Sequence, residues 1–450
     1  MQDSRPVTEE QQVDIRPMRL RKNFSWTFLG NTVYAVSQWG MLTLIARLGS
    51  REMVGQFALG LAIATPVITF TNMALRQVQA TDARRQYQFR DYLALRLTMT
   101  LAGFLTILGI TWSVGYPVQT AQVVWIIGLA KSFEAISDVF YGLMQFYEQM
   151  DRIAISMMLR GLLSLGALGL GLVLTGGLLW GATGLALTWF ILLLAYDVPV
   201  GWRILLQDRS AAPDAHALRP RWDPVTLRQL LWLTLPLGIA TMLNALSVNI
   251  PRYLLERRSG PAELGLFAAM SYVLLAGTTV ITALGQSASP RLARHFAAGN
   301  TGAFLSLLGK LTGLAIAIGC GLIALALLAG RPLLTALYTA EYAHRTDVFL
   351  WLTVAATAGY AGSCLGYGLT AARNFAVQPF IYGTAATISL IASALLIPRS
   401  GLLGSAWALL VLNLAQVLIA GVLLSATLRR QRMREGVPCA VEPRAVETAP

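Results

Sequence analysis

The chain has 450 residues, 55% of them hydrophobic and only 13% charged, and its mean hydropathy is +0.58. A chain that apolar is not an ordinary soluble globular protein. Its net charge of +13 raises nucleic acid as a partner, but only three of its 35 basic residues are lysines, and the basic residues are distributed as in a membrane protein.

Residues 1–22 mix charges with prolines and read as a cytoplasmic tail, lying on the membrane surface or without fixed structure. Apolar segments then follow at about 24–47, 53–75, 92–114, 118–143, 153–175 and 179–201. A second set lies at about 228–254, 264–289, 304–330, 347–371, 378–397 and 402–427. Each is long enough to cross a hydrocarbon layer ~30 Å thick. The chain therefore reads as an all-α integral membrane protein of about 12 transmembrane helices. Residues 23–202 form an N-terminal six-helix bundle and 227–428 a C-terminal one. They are joined by a cytoplasmic linker, 203–226, and 429–450 form a second cytoplasmic tail. With both termini inside, the inner tails, loops and helix ends hold 26 basic residues and the outer side eight, leaving Lys131 within a helix. That excess sets the orientation. Clusters such as Arg84-Arg85 and Arg429 to Arg434 then read as topology determinants and anionic-lipid contacts, not as a nucleic-acid surface. No cleavable signal peptide is read, so the first span is its own insertion signal.

The two sets of spans repeat each other. Gly55-Gln56-Phe57-Ala58 recurs as Gly265-Leu266-Phe267-Ala268, Tyr141-Gly142-Leu143 as Tyr367-Gly368-Leu369, and Gly177-Leu178-Leu179 as Gly401-Leu402-Leu403, at offsets of 210, 226 and 224. Six spans per half give both halves the same orientation, so the repeats are parallel, and repeats of this kind place a substrate site between the halves.

An ionisable or polar group inside a span is expensive and asks for a reason. In the first span Asn31, Tyr34 and Gln38 form a polar strip ending near Arg47. The second carries Thr65, Thr69, Asn72 and Arg76 on one face, with Thr282 and Gln286 at the repeat positions of Asn72 and Arg76. Hydroxyls and amides of this kind suit sugars and phosphate oxygens, or plain bonds between helices. In the fourth span Lys131, Glu134, Asp138, Tyr141 and Gln145 share an arc of roughly 80°. Lys131 and Glu134 can pair, which leaves Asp138 with surplus charge. The stripe reads either as a structural salt bridge or as a cavity wall in which Glu134 or Asp138 carries a coupling ion. In the seventh span Asn249, Arg252, Tyr253 and Glu256 share a face, and Arg252 with Glu256 fits an i,i+4 pair. Pro66, Pro236 and Pro251 are candidate bends. Arg47, Arg76 and Arg252 would otherwise give a cationic lining, and arginine's planar fork suits phosphate or diphosphate. Gly161, Gly166, Gly169 and Gly171 in the fifth span, and glycines of the ninth, suit close helix packing.

No enzyme signature competes. His216, His295 and His344 lie in loops without metal spacing, and Cys320, Cys364 and Cys439 suggest neither a disulfide framework nor a metal site. There is no P-loop, so ATP is not the direct energy source, and no cofactor is implied.

Asn23-Phe24-Ser25-Trp26, Ile45-Ala46-Arg47-Leu48-Gly49-Ser50 and Gly55-Gln56-Phe57-Ala58 resemble the polysaccharide biosynthesis membrane proteins. These are oligosaccharide-lipid flippases of the multidrug/oligosaccharidyl-lipid/polysaccharide exporter superfamily. The resemblance in pattern covers roughly residues 20–430 and is concentrated in 23–76. It implies a V-shaped, MATE-like pair of bundles around a cationic cavity. It also implies movement of an undecaprenyl-diphosphate-linked O-antigen, capsule or exopolysaccharide unit from the cytoplasmic to the periplasmic leaflet of a bacterial inner membrane. Arg47 and Arg76 would bind the diphosphate, whereas Arg252 rests on helix face alone. The implied partners are the lipid-linked glycan, the bilayer and polysaccharide polymerase or export machinery, with the protein working as a monomer. Residues 23–76 also resemble lipid II flippases, but two further helices typical of those are absent. A multidrug or metabolite antiporter of the same fold is the alternative, and a glycan polymerase or ligase would need larger outer loops.

Overall fold

A computed structural model describes residues 20–82, 85–207, 218–372 and 378–435. Among these the chain is helical throughout: α1 (Leu20–Leu48), α2 (Arg51–Asn72), α3 (Leu75–Thr81), α4 (Phe89–Val114), α5 (Val118–Phe146), α6 (Met150–Thr175) and α7 (Leu178–Leu192). A π-turn at Leu193–Asp197 leads into α8 (Val198–Gln207). The second half holds α9 (Pro224–Val273), α10 (Leu275–Ala297), α11 (Thr301–Leu337), α12 (Ala340–Ala343), α13 (Thr346–Ala371) and α14 (Gln378–Glu435).

Among the described residues eight continuous helical stretches are long and apolar enough to span a membrane, two of them 59 and 53 residues long. Those two are far longer than the roughly 20 residues that one crossing needs. Each breaks at a glycine outside helical geometry, Gly260 (φ 82°) and Gly401 (φ 53°). A positive φ suits glycine because it has no Cβ to clash. Each break divides its stretch into two crossings, which makes ten, and α1 and the charged α5 bring the number to twelve. Leu328 and Trp112, 87% and 86% exposed, are surfaces for lipid, and an apolar exterior of this extent marks a multi-pass membrane protein.

The halves repeat in their packing as well as in their sequence. In the first, α1 packs on α6, α2 on α4 and α5, and α7 on α5 and α6. In the second the corresponding helices make the same pairings, α9 on α14, α10 on α11 and α13, and α13 on α14. The halves meet along α2 and α9. At that seam Gly55 lies against Pro261 and Gly265 against Arg51. With the offset of 210 residues, 51 and 55 match 261 and 265, so each contact is the other with its halves exchanged. Reciprocal contacts of this kind require a pseudo-two-fold axis through the seam.

We call the end of the bundle that holds Leu20 and Glu435 the terminal face and the opposite end the far face. At the far face the Arg51 guanidinium meets Glu341 at 2.9 Å, and Trp39 Nε1 donates to the Tyr338 hydroxyl at 3.3 Å. At the terminal face the described part of the linker lies on α4. Arg90 Nε donates to the Arg219 carbonyl at 3.0 Å, and Asp223 caps α9.

The prolines do not break their helices. Pro66, Pro236 and Pro251 lie inside helices whose non-helical residues are elsewhere. The second span breaks instead at Met73 and Ala74, both with left-handed φ (48° and 50°). Side chains rarely adopt that region, and the strain is tolerated where surrounding structure enforces it. An interrupted backbone at membrane depth is tolerated only against protein or a polar cavity, and Ala74 lies on the cavity described next.

Candidate functional site

A cavity of about 340 Å³ lies beside this break. Tyr34 of α1, Thr69 and Asn72 of α2, Arg76 of α3, Glu134, Asp138 and Tyr141 of α5, and Arg160 of α6 line it. Thr241 of α9 is the second half's contribution. The charged lining therefore belongs to the first bundle. At the offset of 226 residues, Lys131, Glu134 and Asp138 correspond to Thr357, Tyr360 and Cys364, all uncharged.

Helical spacing on α5 brings Glu134, Asp138 and Tyr141 of its stripe to the cavity, with Lys131 and Gln145 outside the lining, and other helices supply the counterions of Asp138. Lys131 Nζ bonds Glu134 Oε2 at 2.7 Å and lies over the Trp189 ring at 5.2 Å. Tyr34 donates its hydroxyl to the other Glu134 oxygen at 2.5 Å. Asp138, expected to hold surplus charge, does not. Arg76 Nη1 approaches its Oδ1 at 3.5 Å and Arg96 Nη2 its Oδ2 at 3.1 Å. Arg96 is fully buried and also donates to the Asn72 side-chain carbonyl. Arg76 is held further by Gln145 Oε1, 2.9 Å from its Nε, and by the Tyr141 ring, 5.5 Å from its guanidinium carbon.

A second charged group runs from the lining residue Arg160 into the interior behind the wall. Arg160 Nη2 bonds Asp197 Oδ2 at 3.0 Å and the Ser137 hydroxyl at 2.6 Å, with both charged residues buried. Ser156 donates to Asp197 Oδ1 at 2.6 Å, and the Tyr141 and Ser156 hydroxyls bond each other at 2.7 Å. Asp197 closes the π-turn. Removing one member of a buried ion pair leaves an uncompensated charge, which costs about 3–5 kcal/mol. Asp197→Ala is accordingly expected to lower the thermal unfolding midpoint in detergent markedly. An unchanged midpoint would show that the pair does not hold the bundle together.

The other sequence-selected residues stand apart from the cavity lining. Arg47 reaches across the far face, where its Nε donates to the Leu337 carbonyl at 3.1 Å and its Nη2 to that of Ala336. It caps the last turn of α11, where a cation satisfies free carbonyls and the helix dipole. Arg252 Nη1 bonds Asn249 Oδ1 at 2.8 Å, so its partner is not Glu256. Asn31 is exposed and donates to the Thr27 carbonyl at 2.9 Å. The Gln38 Nε2 is buried without a partner. The Thr282 carbonyl accepts from Tyr367 at 3.4 Å, and the side chain of Gln286 lies outside the described residues. Cys439, His216 and residues 208–217 of the linker also lie outside them. Cys320 and Cys364 are free thiols, and no metal-ligand cluster occurs among the described residues.

Arg96, Arg160 and Asp197 were not selected from the sequence. Along the chain Arg96 and Arg160 read as basic helix ends that set topology. Their signal was available, since each is an ionisable residue inside an apolar stretch, and Arg160 has serines four residues away on either side, Ser156 and Ser164.

The family model for polysaccharide biosynthesis proteins matches residues 20–296, more than half of the chain. The chain belongs to that family. The capsular polysaccharide biosynthesis protein CapF of Staphylococcus aureus is 26% identical over 387 residues, which are 86% of this chain and 94% of that protein. Among solved structures, an inward-facing multidrug resistance MATE transporter of the MOP superfamily superposes with a TM-score of 0.72, at 10% identity, over 90% of this chain and 99% of that one. The lipid II flippase MurJ in an inward closed conformation gives 0.69, also at 10% identity, over 90% of both chains. At such identities the likeness establishes a shared fold. This member of the polysaccharide biosynthesis family is thus a MATE-like pair of six-helix bundles, with its charged cavity built by the first.

Proposed function

We propose that the protein is a flippase for an undecaprenyl-diphosphate-linked oligosaccharide, carrying it from the cytoplasmic to the periplasmic leaflet by alternating access, with the terminal face in the cytoplasm. The observation that carries this reading is the placement of the Arg76 fork at the wall of a membrane-depth cavity, among hydroxyls and an amide from Tyr34, Thr69, Asn72 and Thr241. A guanidinium binds phosphate oxygens in pairs, and hydroxyls and amides exchange their bonds with sugar hydroxyls. At about 340 Å³ the cavity takes a head group's first units, leaving the polyprenyl chain in lipid. Arg47, on the carbonyls of α11, serves closure of the far face in this reading. Glu134, held at the cavity edge by Lys131 and Tyr34, is the coupling carboxylate.

Reconstituted full-length protein should move a fluorescent undecaprenyl-diphosphate-linked oligosaccharide between leaflets, and an imposed proton or sodium gradient should speed it. Glu134→Gln should retain movement and lose the gradient's effect; a full response in that variant removes Glu134 from coupling. Gradient-driven export of ethidium, with the lipid-linked glycan left in place, would replace this reading with that of a cation antiporter.

A further inference from the structure

Asp138 faces the proposed phosphate site although it carries the same sign of charge as the ligand, and the flippase reading gives it no task. Its two arginines are not equivalent. Arg96 is wholly buried, sits 3.1 Å from Oδ2 and has its other terminal nitrogen on Asn72, so both ends of its fork are held by protein, while its buried Nε has no partner. Arg76 sits at 3.5 Å from Oδ1, and both it and Asp138 keep about a quarter of their side-chain surface open, 27% and 26%. A well-made charge-assisted hydrogen bond is about 2.7–2.9 Å long, so the Arg76 contact is the slack one. Gln145 and the Tyr141 ring hold Arg76 by its Nε and its flat face. The guanidinium is planar and rigid, so its fork moves as one body, and the 3.5 Å contact to Asp138 is the one that a small shift gives up first.

We propose that Asp138 is an internal stand-in for the ligand's phosphate. Before a ligand binds, its Oδ1 engages one prong of the Arg76 fork, Nη1. When a phosphate arrives the fork passes to it, and Arg96 alone then neutralises Asp138. No uncompensated carboxylate remains beside the incoming anion, because Arg96 cannot leave its buried seat. The exchange also limits how tightly the ligand is held, since Asp138 competes for the same guanidinium when the ligand must depart. The ligand class this selects is a phosphate ester able to accept two parallel N–H bonds, whereas a neutral glycan could not displace a carboxylate. Asp138 and Arg96 are positioning residues in this scheme, and Arg76 is the binding one.

This inference rests on the reading of Arg76 as the phosphate ligand, and the test separates the two. Farnesyl diphosphate serves as the probe and farnesol as its uncharged control, with binding to full-length protein in nanodiscs measured by calorimetry. Arg76→Gln should weaken diphosphate binding at least tenfold; unchanged affinity would end the phosphate reading itself. Asp138→Asn should tighten it about tenfold, leave farnesol unaffected and slow release of the probe. In an Arg76→Gln background the same Asp138→Asn change should have little effect, because the contested fork is gone. Equal tightening in both backgrounds would mean plain charge repulsion and overturn the stand-in, as would unaltered or weaker binding by the single variant. Should Asp138→Asn fail to fold, Asp138→Glu keeps a charge for Arg96 and brings a longer arm to Arg76. It should weaken the probe at least threefold, and wild-type affinity there would also overturn the proposal.

Discussion

Arg76→Gln is expected to abolish glycan export while the protein is made, inserted and folded normally. The reason is local. Arg76 sits on the short helix α3 beyond the Met73–Ala74 break, where its contacts are Asp138, Gln145 and the Tyr141 ring. None of these is stranded by the change. Asp138 keeps Arg96, and a glutamine amide can still donate to Gln145. What disappears is a charged bidentate donor. Hydrogen bonds to a charged group contribute about 1.5–3 kcal/mol, so ligand affinity should fall roughly tenfold to hundredfold. The comparison variant is Arg96→Gln, which removes a wholly buried cation and leaves Arg76 in place. That change should lower the unfolding midpoint, whereas Arg76→Gln should not. The check is surface glycan in a strain lacking its own copy of the protein, with protein abundance and unfolding midpoint measured alongside. Normal export at normal abundance for Arg76→Gln would remove it from the site.

Gly55→Ala and Gly265→Ala should each hold the far face open, although both substitutions favour the helix as such. Alanine is preferred to glycine in a helix interior by about 1 kcal/mol, so any loss comes from packing between helices. A Cβ on Gly55 would lie 1.7 Å from the Pro261 carbonyl oxygen, and one on Gly265 2.1 Å from that of Arg51. Backbone cannot yield as a side chain tip can, so α2 and α9 must part. Overpacking of this kind costs about 1–3 kcal/mol. The far-closed arrangement should become rarer by roughly one to two orders of magnitude at the upper end of that range. A cysteine pair replacing Arg51 and Glu341, whose side chains meet at 2.9 Å across the far face, reports the change once Cys320, Cys364 and Cys439 are replaced. A short bifunctional thiol reagent should join the pair readily in the parent and at least tenfold more slowly in either glycine variant, with glycan export falling in parallel. Undiminished joining would show that the close approach is not needed for closure.

Much of the architecture was open to reading along the chain, because hydrocarbon imposes one-dimensional rules. A span must be apolar for about 20 residues and must satisfy its own backbone, so twelve crossings and their approximate bounds follow from hydropathy alone. The repeat was legible for the same reason, and Gly55 and Gly265, which meet the opposite half at the seam, belong to one of its recurring motifs. Helical periodicity likewise put Lys131, Glu134, Asp138, Tyr141 and Gln145 on one face, and Lys131 with Glu134 in contact.

Which charge answers which was decided only in three dimensions. Asp138 looked unpaired because its partners come from α3 and α4, 62 and 42 residues away, and hydropathy cannot say which face of a neighbouring helix turns inward. Arg96 and Arg160 read as topology signals for that reason. Arg47, on the same footing as Arg76 in the sequence, went to helix-end carbonyls at the far face, since it ends α1 where the two halves converge. The bends were also misplaced. A proline costs a helix one hydrogen bond, which a neighbouring helix can make tolerable, whereas the backbone left helical geometry where tertiary packing required it, at Met73–Ala74, Gly260 and Gly401. Periodicity thus determined each helix and its polar face, while the long-range pairing of a few buried charges, governed by distance in space, decided where the cavity lies and that the first bundle builds nearly all of it.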